Sequence, residues 1–138
     1  MKTNKLTIEE QFLTLEQAKE LKEIGIDFSG AIYCFGKRIK DSRGNKILRQ
    51  KSFLCPSGNH GVRSLLLEQY EFIPTLSVAE MIEMLPEYTS IEHYTGKWHI
   101  SDNHNSLYPH FERNVLLRDA LFEMLKWLKQ NKLICLCG

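Results

Sequence analysis

The side chains best suited to chemistry are the five histidines, His60, His93, His99, His104 and His110, and the four cysteines, Cys34, Cys55, Cys135 and Cys137. His99, Asp102 and His104 form an H-x-x-D-x-H cluster. Imidazole and carboxylate donors of this kind can hold a divalent metal. The competing reading is a polar loop with two solvated imidazoles, because no helix fixes the spacing and no further strong ligand is evident. Nucleophilic catalysis needs a thiol or hydroxyl beside a base. Cys55, close to His60 in the loop Cys55-Pro56-Ser57-Gly58-Asn59-His60-Gly61, is the local pairing of that type, and such pairings also arise by chance. Gly58-Asn59-His60-Gly61 lacks the G-x-G-x-x-G or terminal G-K-[ST] of a phosphate cradle, and no cofactor fingerprint appears. Cys34, among Ile32, Tyr33 and Phe35, reads as a small buried hydrophobe. Cys135 and Cys137 are too closely spaced for an ordinary zinc half-site. With no export signal in view, all four thiols are expected to be reduced.

Charge is unevenly placed. Residues 37–51 carry Lys37, Arg38, Lys40, Arg43, Lys46, Arg49 and Lys51 against Asp41 alone, a local charge of +6. Residues 64–96 carry six glutamates and no Lys or Arg, a local charge of −6. A basic β-ribbon can follow a nucleic-acid groove and gain affinity from counterion release. Charge reversal at Arg43, Lys46 and Arg49 would then abolish binding. Two plainer readings compete: a charged edge that resists aggregation, and a basic segment that complements the acidic one.

These groups need elements to position them. Thr14 with Gln17, and Ser77 with Glu80, are capping boxes. The apolar spacing behind them predicts helices over 14–24 and 78–85, ended by Gly25 and Pro86. Residues 31–39 and 46–54, joined by Asp41-Ser42-Arg43-Gly44-Asn45, read as a hairpin. Residues 90–101 read as a second, turning at Thr95-Gly96, with His93 opposite Trp98 and Ile91 opposite Ile100. Residues 62–73 fit either helix or strand. A long helix is expected from between Pro109 and Asn114 to near Asn131, with Leu117, Ala120, Leu121, Met124 and Leu128 inward. On that helical wheel Val115 and Phe122 fall on the charged outer face, which marks them as a contact for a second copy or a protein partner.

The phrases Phe12-Leu13-Thr14-Leu15-Glu16-Gln17-Ala18-Lys19-Glu20-Leu21-Lys22-Glu23-Ile24-Gly25 and Pro74-Thr75-Leu76-Ser77-Val78-Ala79-Glu80-Met81, with the hairpin and helix that follow, resemble a set of small uncharacterised proteins of Bacteroidetes genomes and their prophages. That resemblance implies a prokaryotic or phage context and carries no catalytic residues with it.

The 138 residues suit one α+β domain in the order α-ββ-α-ββ-α, a mostly antiparallel sheet with helices largely on one face. Residues 1–11 are expected to fray and 132–138 to form a short tail. No apolar run approaches a membrane span, and the lysine-bearing start is followed by no apolar stretch, so a cytoplasmic location is expected. The pattern favours a non-enzymatic binding module. A nucleic-acid-binding hairpin is the alternative, and a small enzyme or metal site near 99–104 is the second alternative.

Overall fold

Reciprocal capping boxes open the first two helices. Gln17 N–H donates to Thr14 Oγ1 at 3.1 Å, and Thr14 N–H donates to Gln17 Oε1 at 3.0 Å. Ser77 and Glu80 repeat the pair at 3.1 and 3.0 Å. Each box satisfies two backbone donors that a helix start leaves unpaired. Helix α1 then spans Leu15–Glu23 and α2 spans Val78–Glu83. Past α1, Gly25 takes φ +99°, where a side chain would be strained. Beyond α2 the chain tightens, with Met84 and Leu85 N–H donating to the carbonyls of Met81 and Ile82. Replacing Thr14 or Ser77 with alanine should each cost about 1 kcal/mol of stability, read from the urea midpoint at constant m. An unchanged midpoint in either variant would show that the box contributes nothing.

The computed structural model describes residues 7–41, 43–47, 51–56, 70–105 and 107–134. Within them lie β1 (Tyr33–Arg38), β2 (Phe53–Pro56), β3 (Tyr70–Thr75), β4 (Thr89–Tyr94), β5 (Lys97–Asp102), β6 (His110–Asn114) and α3 (Leu117–Gln130). The strands form two antiparallel three-stranded sheets, ordered β2-β1-β3 and β4-β5-β6. The α+β class and the antiparallel pairing are as expected. Each expected hairpin, however, recruits a third strand, so there are two sheets in place of one. The second hairpin has the expected register: Ile91 opposite Ile100, His93 opposite Trp98, and a turn at Thr95 and Gly96 with positive φ at both. In the first, the described returning strand is Phe53–Pro56, running into Cys55 and Pro56, and residues 48–50 of the expected strand lie outside the described residues. Lys46 forms only an isolated bridge to Lys40. Proline is tolerated in β2 and β3, at Pro56 and Pro74, because both are edge strands.

Helix α3 is the hub. Leu117, Ala120, Leu121, Met124 and Leu128 are buried as expected, and so are Phe122 and Leu125. They pack with Leu13, Ala18 and Leu21 from the α1 side, Met81 of α2, and Ile100 of β5. The described residues next to both ends are tied to the rest of the chain. Residues 9–11 form a 3-10 turn, and Phe12 and Leu13 are buried. Leu133 and Ile134, placed in a tail by the sequence, pack against the core. Among the described residues, no helix is long and apolar enough to cross a membrane.

Candidate functional site

Among the described residues, the basic block is spread over a strand and a turn. Lys37 and Arg38 lie on β1, the central strand of its sheet, and neighbours on a strand point to opposite faces. Lys37 stands opposite Glu71 of β3, a residue of the acidic segment, in keeping with charge complementation inside the chain. Lys40, Arg43, Lys46 and Lys51 are exposed around the turn, and Arg49 lies outside the described residues. The turn also holds its own anion. Asp41 accepts the backbone N–H of Asn45 and of Arg43, each at 2.9 Å. The Asn45 bond leads in holding this carboxyl below the usual carboxylate range, with Arg38 adding its charge. The expected cationic face is therefore divided between two sheet faces and a turn.

The expected metal triad is also divided. On β5, Ile100 and Asp102 point inward and are fully buried. His99 points to the outer face, where its ring stacks on Tyr94 at 3.8 Å and 3°. Strand alternation thus removes His99 from the Asp102–His104 pair, a correction to the H-x-x-D-x-H reading. Among the described residues, no three His, Cys, Asp or Glu side chains are grouped to hold a metal ion. His60, the proposed base for Cys55, lies outside the described residues, as do Cys135 and Cys137.

In place of the triad, strand pairing assembles a polar cluster against Trp127 of α3. Asp102 bonds through Oδ2 to His104 Nδ1. Among the described residues its other oxygen is buried with no hydrogen-bond partner, as is Oγ1 of Thr89, the residue opposite it on β4. His110, opposite Asp102 on β6, bonds Glu112 at 2.9 Å and stacks on Trp127 at 3.8 Å and 1°. The His104 ring lies 6.2 Å from Trp127 and 5.9 Å from Tyr88. In the sequence His110 falls within the stretch where the long helix is expected to start, with nothing to connect it to Asp102. The cross-strand register carries that connection, and β6 was not foreseen.

The expected partner contact is overturned in one half. Phe122 is only 5% exposed. The face of α3 that carries it is covered by α1 and the segment before it. Arg118 donates to the carbonyl of Glu9 at 3.2 Å, Gln17 donates to Asp119 at 2.7 Å, and Lys126 meets Glu20 at 2.5 Å. The charges around Phe122 therefore bond to neighbouring segments and do not mark a solvent face. Val115 is exposed, but it follows β6 and precedes α3, so it never shared a helix face with Phe122.

Among the described residues, several exposed apolar side chains lie on or next to the outer side of β4-β5-β6. Val115 is 63% exposed, Phe111 55% and Tyr94 51%. Leu107 and Tyr108, in the loop between β5 and β6, are 81% and 78% exposed. Glu92, His99 and Arg113 form one row across the three strands. Among the described residues, the outer edge of β6 pairs with no further strand. Comparison with protein-family models, with curated proteins and with solved structures finds no match to this chain.

Proposed function

We propose that this chain is a non-enzymatic interaction module of prokaryotic or prophage origin, which meets a second copy of itself through β6. The observation that carries the reading is the exposed apolar run Leu107, Tyr108, Phe111 and Val115, with Tyr94 on the same sheet. Scattered exposed apolar residues are ordinary, but several large ones on and beside a single strand support a contact surface. Aromatic and arginine side chains are the types enriched at such interfaces. Strand β6 adds a backbone edge that pairs with no other strand among the described residues, with no proline within His110–Asn114 to block pairing. Two β6 edges meeting antiparallel about Glu112 continue the sheet and set Phe111 of each copy opposite Arg113 of the other. A guanidinium over an aromatic ring is a favourable contact. Each Glu112 is already engaged by its own His110.

Equilibrium sedimentation tests the proposal. Wild type is expected to dimerise over the accessible concentration range. Phe111→Glu and Val115→Glu change exposed positions, so both variants should stay folded while the dimer weakens at least tenfold, about 1.4 kcal/mol. A monomeric wild type, or variants that dimerise like wild type, would overturn it.

A further inference from the structure

Cys34 and Cys55 are directly opposite across the antiparallel pair β1–β2, and their Sγ atoms lie 3.5 Å apart. Directly opposite residues in such pairs have Cα atoms roughly 4.5 or 5.5 Å apart, according to their hydrogen-bonding phase. Both spacings fall inside the roughly 4.4–6.8 Å that a disulfide spans. Bond formation therefore asks for side-chain rotation and no change of strand register. The two thiols differ in access. Cys34, on the central strand, is 1% exposed, while Cys55, on the edge strand β2, is half-buried.

We propose that Cys34 and Cys55 form a thiol–disulfide exchange site, with Cys55 as the attacking thiol and Cys34 as the resolving thiol. The co-reactant is a low-molecular-weight disulfide such as oxidised glutathione. The Cys55 thiolate attacks one sulfur of that disulfide, forming a mixed disulfide and releasing one glutathione thiolate. The Cys34 thiolate then attacks the Cys55 sulfur, closing the Cys34–Cys55 bond and releasing the second glutathione thiolate. Two protein thiols are oxidised, one small disulfide is reduced, and the two protons end on the two glutathione molecules. Oxidation ties the edge strand β2 covalently to the centre of its sheet. The sequence alone hides the pair, because Cys55 sits beside Pro56 and reads as loop. Only the register brings it opposite Cys34. The inference does not depend on the dimer proposed above, since β1–β2 belong to the other sheet.

The test uses the full chain with Cys135→Ser and Cys137→Ser, so that only two thiols remain. The folded protein is incubated with oxidised glutathione, quenched by alkylation, digested and weighed. The expected product is a linked Cys34–Cys55 peptide, two hydrogens lighter than the sum of the separate peptides. In Cys34→Ser, and in Cys34→Ala should serine fail to fold, Cys55 is expected to stop at the glutathione adduct. In Cys55→Ser, Cys34 should remain open to alkylation only after denaturation. Recovery of both cysteines alkylated after oxidation would overturn the site. A glutathione adduct on Cys34 formed as fast as that on Cys55 would overturn the assignment of roles.

Discussion

Phe122→Glu is expected to unfold the chain. Its ring is buried on the face of α3 that α1 and the preceding segment cover, with the Lys126 ammonium 5.9 Å from the ring centre. Removing a buried phenylalanine side chain costs about 3–5 kcal/mol. Phe122→Ala should fall in that range. Glutamate adds the cost of desolvating a carboxylate, partly offset because Lys126 is near, though Lys126 is already bonded to Glu20. The hydrogen bond to Glu20 is the leading reason the Lys126 ammonium holds its proton above the usual lysine range. A domain has roughly 5–15 kcal/mol of stability to lose. Circular dichroism and a urea titration read the outcome. A cooperative transition at the wild-type midpoint for Phe122→Glu would mean that the α1–α3 packing is wrong.

Phe122 also shows where sequence reasoning ran short, and why. On a helical wheel, one apolar arc and one charged arc suggest one buried face. Helix α3 lies between a sheet and α1, so it has two buried faces. Arg118, Asp119 and Lys126 on the second face look solvated in sequence, yet each bonds to the segment packed over it. Tertiary ion pairs and surface charges have the same sequence signature.

The elements that were legible are those whose signals are local. The capping boxes at Thr14 and Ser77, the glycine stop at Gly25 and the Thr95-Gly96 turn each depend on neighbours within a few residues. The register of β4–β5 follows from that turn, because a two-residue loop fixes every later pair. Strand β6 was missed for a physical reason. Its inward residues are His110, Glu112 and Asn114, and its outward residues include Phe111. Phe111 is the one apolar residue among the five, so periodicity gives no strand signal and the segment reads as the start of a helix. Strand alternation turns His110 toward Trp127 and Phe111 toward solvent. The strand hardest to read thus carries both the polar cluster and the proposed contact surface.

His104→Ala is expected to cost about 3–5 kcal/mol, although His104 itself is half exposed. The cost arises at Asp102. That side chain is fully buried, and among the described residues its hydrogen bond to His104 Nδ1 is the one that serves it, its second oxygen having no partner. Truncating His104 leaves a buried carboxylate without compensation, which is far more costly than the original pair was worth. A neutral side chain at residue 102 should remove most of that penalty. Asp102→Asn keeps an oxygen to accept from the His104 ring and carries no charge to leave uncompensated. In the Asp102→Asn background, His104→Ala should therefore cost only about 1 kcal/mol, the ordinary net value of a hydrogen bond. Urea denaturation of the four proteins closes a double-mutant cycle with a coupling of at least 2 kcal/mol, within the range seen for residues in contact. Equal costs of His104→Ala in the two backgrounds would show that Asp102 draws its compensation from elsewhere. A large coupling would show that His104 and Asp102 act as one unit closing the end of β5 beneath α3.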